Sequence, residues 1–156
     1  MKYSRSAPSY SHQVAVNAYL IKEGKFLLLN RTTPPLIWSP PGGRLRPDED
    51  PVDGLLREIR EETQLEGDVI APVNIWFGKW QNRRLLAIDY LVLFHSGKLK
   101  LSEEHSASFW VSLEELRNGK PIRLKAGAGF QLADFERAWE LYENHKKVTK
   151  SELHFG

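Results

Sequence analysis

The sequence contains no cysteine and one methionine among its 156 residues. The absence of cysteine excludes disulfide bonds, thiol nucleophiles and cysteine-ligated zinc sites, and it is compatible with a cytoplasmic protein. Long hydrophobic runs are missing too, so the sequence predicts no membrane-spanning helix, and the N-terminus lacks the apolar segment of a secretion signal. We therefore expect a cytoplasmic protein that makes no contact with membranes, built as one domain because internal repeats are also absent.

The net charge is small, +2, but it is unevenly distributed along the chain. Residues 48–66 contain eight acidic side chains and two arginines, so the remainder of the chain is basic. Basic surroundings near an acidic segment would suit a polyanionic substrate, because they offset the charge of that substrate. The clustered basic and aromatic motifs of nucleic-acid-binding proteins do not occur, so nucleic acid is not an expected partner.

Hydrophobic patterns predict an α/β fold. Stretches rich in β-branched and aromatic residues predict strands at 13–21, 25–31, 69–80, 83–96 and 106–111. Helical spacing and capping residues predict helices at about 51–64, 112–116 and 130–147. Mixed strands bounded by two long helices favour an α/β/α sandwich with a mixed β-sheet between the helices.

The limits of the domain follow from the same patterns. Residues 12–147 are expected to form the single domain. Residues 1–11 are polar and without hydrophobic period, so a flexible segment is expected there. Residues 148–156 are expected to form a C-terminal tail.

The strongest chemical signal is the segment 43–65, in which three glutamates share one helical face. Glu58, Glu61 and Glu62 are spaced i, i+3 and i+4, so a helix brings their carboxylates together. Like charges at this spacing repel and raise one another's pKa. Mg²⁺ or Mn²⁺ would reverse that repulsion, because hard divalent cations prefer oxygen ligands. The alternative is a solvated surface helix with pairs such as Arg57–Glu61.

The residues around this segment favour the metal site. Residues 40–43, Pro-Pro-Gly-Gly, interrupt regular structure and let backbone approach a ligand closely. Asp50 is expected to cap the helix, with Pro51 at its first position. The apolar residues within 55–59 would hold the helix on a core while the glutamates face outward. Gly54 costs about 1 kcal/mol relative to alanine in a helix, and the close approach of another backbone segment is the expected reason.

These residues resemble the signature of the Nudix hydrolases: a glycine, five residues, a glutamate, seven residues, Arg-Glu, an aliphatic residue, any residue, Glu-Glu, any residue, a glycine and an aliphatic residue. The chain matches it at Gly43, Glu49, Arg57, Glu58, Ile59, Glu61, Glu62 and Leu65. Gln64 replaces the second glycine, which commonly ends a helix in left-handed backbone. Gln64 is expected either to adopt that backbone, at roughly 1 kcal/mol, or to extend the helix as far as Gly67.

The resemblance implies the Nudix α/β/α fold and a divalent-metal-dependent hydrolase. Such an enzyme cleaves the pyrophosphate link of a nucleoside diphosphate joined to another moiety, as in nucleoside triphosphates, ADP-ribose and nucleotide sugars. The implied cofactor is Mg²⁺, with Mn²⁺ as a second candidate, and a homodimer is a candidate assembly. One alternative is a non-catalytic module that binds a nucleotide metabolite for regulation, which the intact glutamates disfavour. An isomerase of the same fold is disfavoured by the absence of cysteine.

The resemblance also implies roles for individual residues. The implied metal ligands are Glu58, Glu61, Glu62 and the carbonyl of Gly43. Arg57 would orient the glutamates, and Glu49 and Gly42 would support the loop and the helix. The general base would be either Glu58 or an acid from a later loop, for which Glu104 is the candidate.

Contacts to a substrate are expected from other residues. Arg44, Arg83 and Arg84 could pair with phosphate groups, and Trp38 could stack on a base. The alternatives are solvated arginines and an aromatic residue of the core. His105 could carry a proton, but a lone histidine more often has a packing or surface role.

Overall fold

The computed structural model describes residues 10–34, 36–80, 82–127 and 129–155, so most of the predicted flexible segment 1–11 lies outside the described residues. In the described ranges, no helix has the length and apolarity that a membrane span requires. The helices and strands follow one another as β1 (Gln13–Lys22), β2 (Lys25–Arg31), β3 (Trp38–Ser39), β4 (Gly42–Arg44), α1 (Pro51–Thr63), β5 (Glu66–Trp80), β6 (Arg83–Ser96), β7 (His105–Val111), α2 (Leu113–Asn118) and α3 (Leu132–Phe155).

The strands of the described part form one mixed sheet with the central order β3-β2-β1-β6-β5, while β4 pairs with β1 and β7 pairs with β2. β1 and β6 run parallel, and β5 and β6 form a long hairpin. β1 and β2 pair only beside their turn, at Ile21↔Phe26 and Lys22↔Lys25. Beyond that point β4 occupies the edge of β1, at Ala15 to Asn17. The two strands therefore part at the place where the Pro-Pro-Gly-Gly loop enters the sheet.

Two hydrophobic clusters lie on opposite faces of this sheet, because successive residues of a strand point to opposite sides. The first contains Tyr19 of β1, with Phe135 and other side chains of α2 and α3. The second contains Val16 of β1, with Leu55 and Ile59 of α1. The sheet therefore lies between α1 on one face and α2 and α3 on the other, and the predicted α/β/α sandwich is confirmed.

α1 begins and ends at residues that satisfy its terminal backbone groups. The Asp50 side chain accepts hydrogen bonds from the N–H groups of Val52 and Asp53, at 2.9 and 3.2 Å. Gln64 ends the helix in left-handed backbone, with φ 61° and ψ 17°, and donates its N–H to the carbonyl of Arg60. The first expectation for Gln64 is therefore confirmed, and the helix does not extend to Gly67.

The glycine within α1 is explained by neighbouring side chains. A Cβ at Gly54 would lie 2.4 Å from Cδ2 of Leu45 and 2.8 Å from Oε1 of Glu49. The expectation of a close backbone segment was wrong, because the atoms that approach belong to side chains of the loop before α1. Gly54 allows that loop to pack directly on the helix.

α3 is longer than the sequence predicted. It spans Leu132–Phe155 instead of 130–147, so the predicted tail is helical as far as it is described. The apolar spacing that marks the helix ends near Tyr142, and residues 143–151 are exposed or half-buried. Lysine and glutamate, which form helices well without burial, continue the helix there, with an ion pair between Lys146 and Glu143.

A buried carboxyl group lies in the middle of the sheet. Asp89 of β6 is 1% exposed. Its Oδ1 accepts a hydrogen bond from Nδ2 of Asn17 at 2.9 Å, and its Oδ2 lies 3.4 Å from the Tyr19 hydroxyl. Burial raises the pKa of Asp89 to about 6, although the bond from Asn17 lowers it.

We expect Asp89→Asn to stabilise the protein at alkaline pH. The folded pKa of about 6 lies above the unfolded value of about 3.9. The stabilising contribution of Asp89 is therefore complete below pH 4 and is lost as the pH rises through 6. The amide undergoes no such loss, so urea denaturation at pH 8 should give a free energy of unfolding about 1–3 kcal/mol higher for the variant. A gain of the same size at pH 4 would contradict this explanation.

Candidate active site

Arg57 of α1 joins the helix to the preceding loop through a fan of hydrogen bonds. Its Nε and Nη2 donate to the two carboxylate oxygens of Glu49, at 2.7 and 2.8 Å. Its Nη1 donates to Glu58 at 3.0 Å and to Glu61 at 3.2 Å. Its Nη2 also reaches the carbonyl of Arg44, at 3.3 Å. This geometry would let Arg57 orient two of the three helix glutamates, the role that the resemblance implies.

The ion pair between Arg57 and Glu49 is partly shielded from solvent. The side chains of Arg57 and Glu49 are both 15% exposed. The hydrogen bond from Arg57 lowers the pKa of Glu49 to about 2, with help from the backbone N–H of Arg46. Glu49 therefore stays ionised and ties the loop to α1.

Gly42 and Gly43 let β4 lie directly against acidic and polar side chains. A Cβ on Gly43 would lie 2.5 Å from Cδ of Glu58, and one on Gly42 would lie 2.4 Å from Oδ1 of Asn17. Gly42 also donates its backbone N–H to Oε1 of Glu62, at 3.0 Å. The two glycines therefore let β4 lie where a larger residue would displace these side chains and, at Gly42, would also meet the backbone carbonyl of Val16.

We expect Gly43→Ala to displace the Glu58 carboxylate. The added methyl group should lower the free energy of unfolding by about 1–3 kcal/mol and reduce any hydrolytic activity by about 10–100-fold through misplacement of Glu58. Gly129→Ala is the matched control, because a Cβ there would meet no atom within 4 Å. Urea denaturation and steady-state rates measure the two effects. Equal results for the two variants would contradict the packing argument.

Glu62 is the buried member of the acidic group, with 3% of its surface exposed. The expectation that all three glutamates face outward was therefore wrong for Glu62, whereas the Glu61 side chain is 51% exposed. Oε2 of Glu62 lies 3.3 Å from Nε2 of His105. Burial first, and then the charge of Glu58, raise the pKa of Glu62 to about 9. Burial also raises the pKa of Glu58, against the influence of Arg57.

The loop 102–105 covers Glu62 and adds a fourth carboxylate. The Ser102 N–H donates to the Glu62 carbonyl at 3.2 Å, which attaches the loop to the end of α1. The Glu104 carbonyl accepts from the N–H and the hydroxyl of Thr32, at 3.0 and 3.1 Å. Ligand atoms of Glu62, Glu104 and His105 all lie within 4.8 Å of one another. The structure thus brings the late carboxylate to Glu62 of the helix.

His105 reaches this group because of a bulge between β2 and β7. The pairing shifts between Asn30 and Arg31, so His105 lies opposite Arg31. Simple alternation counted back from Trp110, which packs in the second core cluster, would place His105 on the other face of the sheet. The extra residue in β7 turns it toward α1. The sequence favoured a packing or surface role for His105 and carries no signal for the bulge.

Three of the four predicted substrate contacts lie away from the carboxylates, and the fourth, Arg44, lies beside them. Arg83 and Arg84 are exposed at the start of β6, about 17–20 Å along that strand from the level of Gly42. Trp38 is half-buried and packs against the first core cluster, on the face opposite α1. Arg44 lies beside the site, and its carbonyl accepts a hydrogen bond from Nη2 of Arg57. Substrate contacts by these side chains stay predictions.

The donor set fits a hard divalent cation. Its carboxylates belong to Glu58, Glu61, Glu62 and Glu104. Burial disfavours the ionised forms of Glu58 and Glu62, and a divalent cation would restore them by its charge. Oxygen ligands of this kind are those that Mg²⁺ and Mn²⁺ bind.

Known proteins are similar to this chain in sequence and in fold. A family model described as NUDIX domain matches residues 11–134, which include every residue of the site. A MutT-like protein of Streptomyces ambofaciens is 30% identical over 105 residues, covering 67% of each chain. The CTP pyrophosphohydrolase of Escherichia coli (strain K12) is 33% identical over 107 residues, covering 64% of this chain and 76% of that protein. The structure of a MutT protein from Methanosarcina mazei Go1 has a TM-score of 0.70 and 27% identity, covering 87% of this chain and 99% of that one.

Proposed function

The chain belongs to the NUDIX domain family, and on that premise we propose that it is a Mg²⁺-dependent hydrolase of nucleoside diphosphate derivatives, with Mn²⁺ as a second candidate ion. The scissile bond is the pyrophosphate link between the nucleoside diphosphate and its other moiety. One observation carries the proposal: ligand atoms of Glu62 and Glu104 lie within 4.8 Å of each other, beside the glycines of β4 that contact Glu62 and Glu58. A group of ionised carboxylates this close is favourable only with a cation among them.

Cleavage of a pyrophosphate link requires neutralised phosphate charge and a deprotonated water molecule. A bound divalent ion supplies the neutralisation. Glu58, Glu61 and Glu62 would hold that ion, with the carbonyl of Gly43 as a further ligand. Arg57, which is itself bound to Glu49, keeps Glu58 and Glu61 in place through its hydrogen bonds.

Between the two candidate bases, the geometry favours Glu104. Glu58 accepts a hydrogen bond from Arg57, and its carboxylate packs against Gly43. The Glu104 side chain is exposed, while its backbone is fixed by Thr32. A carboxylate that is held by its backbone and open to solvent can accept a proton from water.

The proposed substrate class is nucleoside triphosphates. The relative named CTP pyrophosphohydrolase supports this choice over ADP-ribose and nucleotide sugars, because it is 33% identical to this chain. Arg31 lies opposite His105 and makes no ion pair with a described residue. A half-buried guanidinium beside the acidic group would suit a terminal phosphate of such a substrate. A homodimer and a cytoplasmic location also stay predictions.

The test is a panel of nucleoside triphosphates, dinucleotide polyphosphates, ADP-ribose and nucleotide sugars, with Mg²⁺, Mn²⁺ or EDTA. Phosphorus NMR of the products identifies the bond that breaks. We expect metal-dependent cleavage at a pyrophosphate link, fastest with a nucleoside triphosphate. Binding of a nucleotide without metal and without any turnover would instead support a regulatory binding module. A rearranged product without phosphate release would support an isomerase.

A further inference from the structure

Glu62 is contacted at both carboxylate oxygens. Oε1 accepts the N–H of Gly42 at 3.0 Å. Oε2 lies 3.3 Å from Nε2 of His105, and the side chains of His105 and Glu62 are only 9% and 4% exposed. This distance is slightly longer than that of a typical N–H···O hydrogen bond. A backbone group on one side and an imidazole on the other therefore enclose the carboxylate.

The second ring nitrogen, Nδ1, distinguishes two roles for His105: a metal ligand, or a hydrogen-bond donor to Glu62. Nδ1 is buried and has no hydrogen-bond partner in the described part of the chain. As a metal ligand through Nε2, a neutral His105 would carry its proton on Nδ1, which would leave a buried donor unsatisfied. With the proton on Nε2, the donor faces Glu62 and Nδ1 is an unprotonated acceptor. The second arrangement leaves no donor unsatisfied, so it is favoured.

We propose that His105 is a positioning residue whose Nε2–H faces Glu62 and, together with the Gly42 N–H, fixes the orientation of that carboxylate. His105 itself is not a ligand of the cation. The proposal rests on the proposed function in one respect, that Glu62 holds a divalent ion. A ligating carboxylate that is held from behind by a hydrogen-bond donor binds its metal more tightly, because less freedom is lost on binding.

The backbone around His105 makes this arrangement rigid. The His105 N–H donates to the Ser102 carbonyl at 3.3 Å, which closes the turn before β7. The bulge opposite Arg31 directs the ring toward α1. The neighbouring Glu104 carbonyl is fixed by two bonds from Thr32. The imidazole is therefore placed before any metal binds.

Two variants separate a positioning role from a packing role. In His105→Gln the side-chain amide can reach the position of Nε2 and donate to Glu62. In His105→Asn the amide is shorter and ends near the position of Nδ1. His95→Asn is the control, since His95 also faces a carboxylate, Asp68, at 3.2 Å, but both side chains are more than 60% exposed.

The measurement is the dissociation constant of Mn²⁺ for the substrate-free protein, from electron paramagnetic resonance titration. We expect His105→Asn to weaken Mn²⁺ binding by about 10–100-fold, with recovery in His105→Gln and no change in the His95 control. Urea denaturation verifies that the variants are folded. Wild-type affinity in a folded His105→Asn, or equal losses in the Asn and Gln variants, would overturn the proposal.

A second measurement reads the tautomer directly. Two-bond ¹H–¹⁵N spectra of the histidine rings should show His105 protonated at Nε2 and unprotonated at Nδ1, both without metal and with Mg²⁺. Protonation at Nδ1, or coordination of Nε2 to the metal, would overturn the proposal. Neither measurement requires turnover. If metal binds and the tautomer is as expected but no substrate is cleaved, only the proposed function fails.

Discussion

Glu62→Gln should abolish metal-dependent hydrolysis and leave the protein folded. The amide has the shape of the carboxyl group and can still accept the Gly42 N–H through its oxygen. It cannot supply a charged ligand, so the rate should fall by about 10³-fold or more. Steady-state kinetics with Mg²⁺ measures the loss. Glu114→Gln on α2, which is exposed and outside the site, is the control.

The same variant should be more stable than the wild type when no metal is present. Burial raises the pKa of Glu62 to about 9, above its unfolded value of about 4.3. The contribution of Glu62 to stability is therefore complete below pH 4 and is lost as the pH rises toward 9. The amide does not titrate, so its melting temperature at pH 8 should exceed that of the wild type. Addition of Mg²⁺ should then raise only the wild-type value strongly.

Two results would contradict this account of Glu62. Wild-type turnover by the variant would show that Glu62 is not needed for the reaction. A melting temperature of the metal-free wild type that did not fall between pH 5 and pH 9, relative to the variant, would show that burial does not raise the pKa of Glu62.

Arg57→Lys should cause the largest loss of stability among conservative changes at the site. A lysine ammonium cannot form the fork that engages both oxygens of Glu49 while reaching Glu58 and Glu61. We expect the free energy of unfolding to fall by about 2–3 kcal/mol. We also expect activity to fall by about 100-fold, because two glutamates lose their fixed orientation. Urea denaturation and steady-state rates measure these effects.

Arg60→Lys is the matched control for this substitution. Arg60 also donates to both oxygens of one carboxylate, that of Glu66, at 2.8 and 3.3 Å. Its side chain and that of Glu66 are 56% and 43% exposed, so water and salt weaken the pair. We expect a change below about 0.5 kcal/mol. Equal losses of unfolding free energy for the two variants would show that the burial of Arg57 and its several hydrogen bonds do not stabilise the protein.

The local features of the acidic helix could be predicted from the sequence because each depends on residues close together in the chain. Asp50 and Pro51 begin α1, and Gln64 ends it in left-handed backbone. The spacing of Glu58 and Glu62 follows from the period of a helix. The α/β/α sandwich could likewise be predicted, because apolar stripes mark the surfaces that strands and helices bury.

Features that depend on distant segments could not be predicted in this way. Glu62 is buried because loop 102–105 attaches to the end of α1, a contact between residues far apart in the sequence. His105 faces the site because one extra residue enters the pairing of β7 with β2. The end of α3 was missed because the apolar spacing stops near Tyr142 and residues 147–151 are exposed.

The most direct test of the proposed site is the anomalous diffraction from a crystal soaked in Mn²⁺. We expect a peak in contact with the carboxylates of Glu58 and Glu62, beside Gly42 and Gly43 of β4, and no peak in crystals of Glu62→Gln. If the wild type showed these carboxylates without a cation, under conditions in which it cleaves nucleoside triphosphates, the site described above would not be the catalytic one.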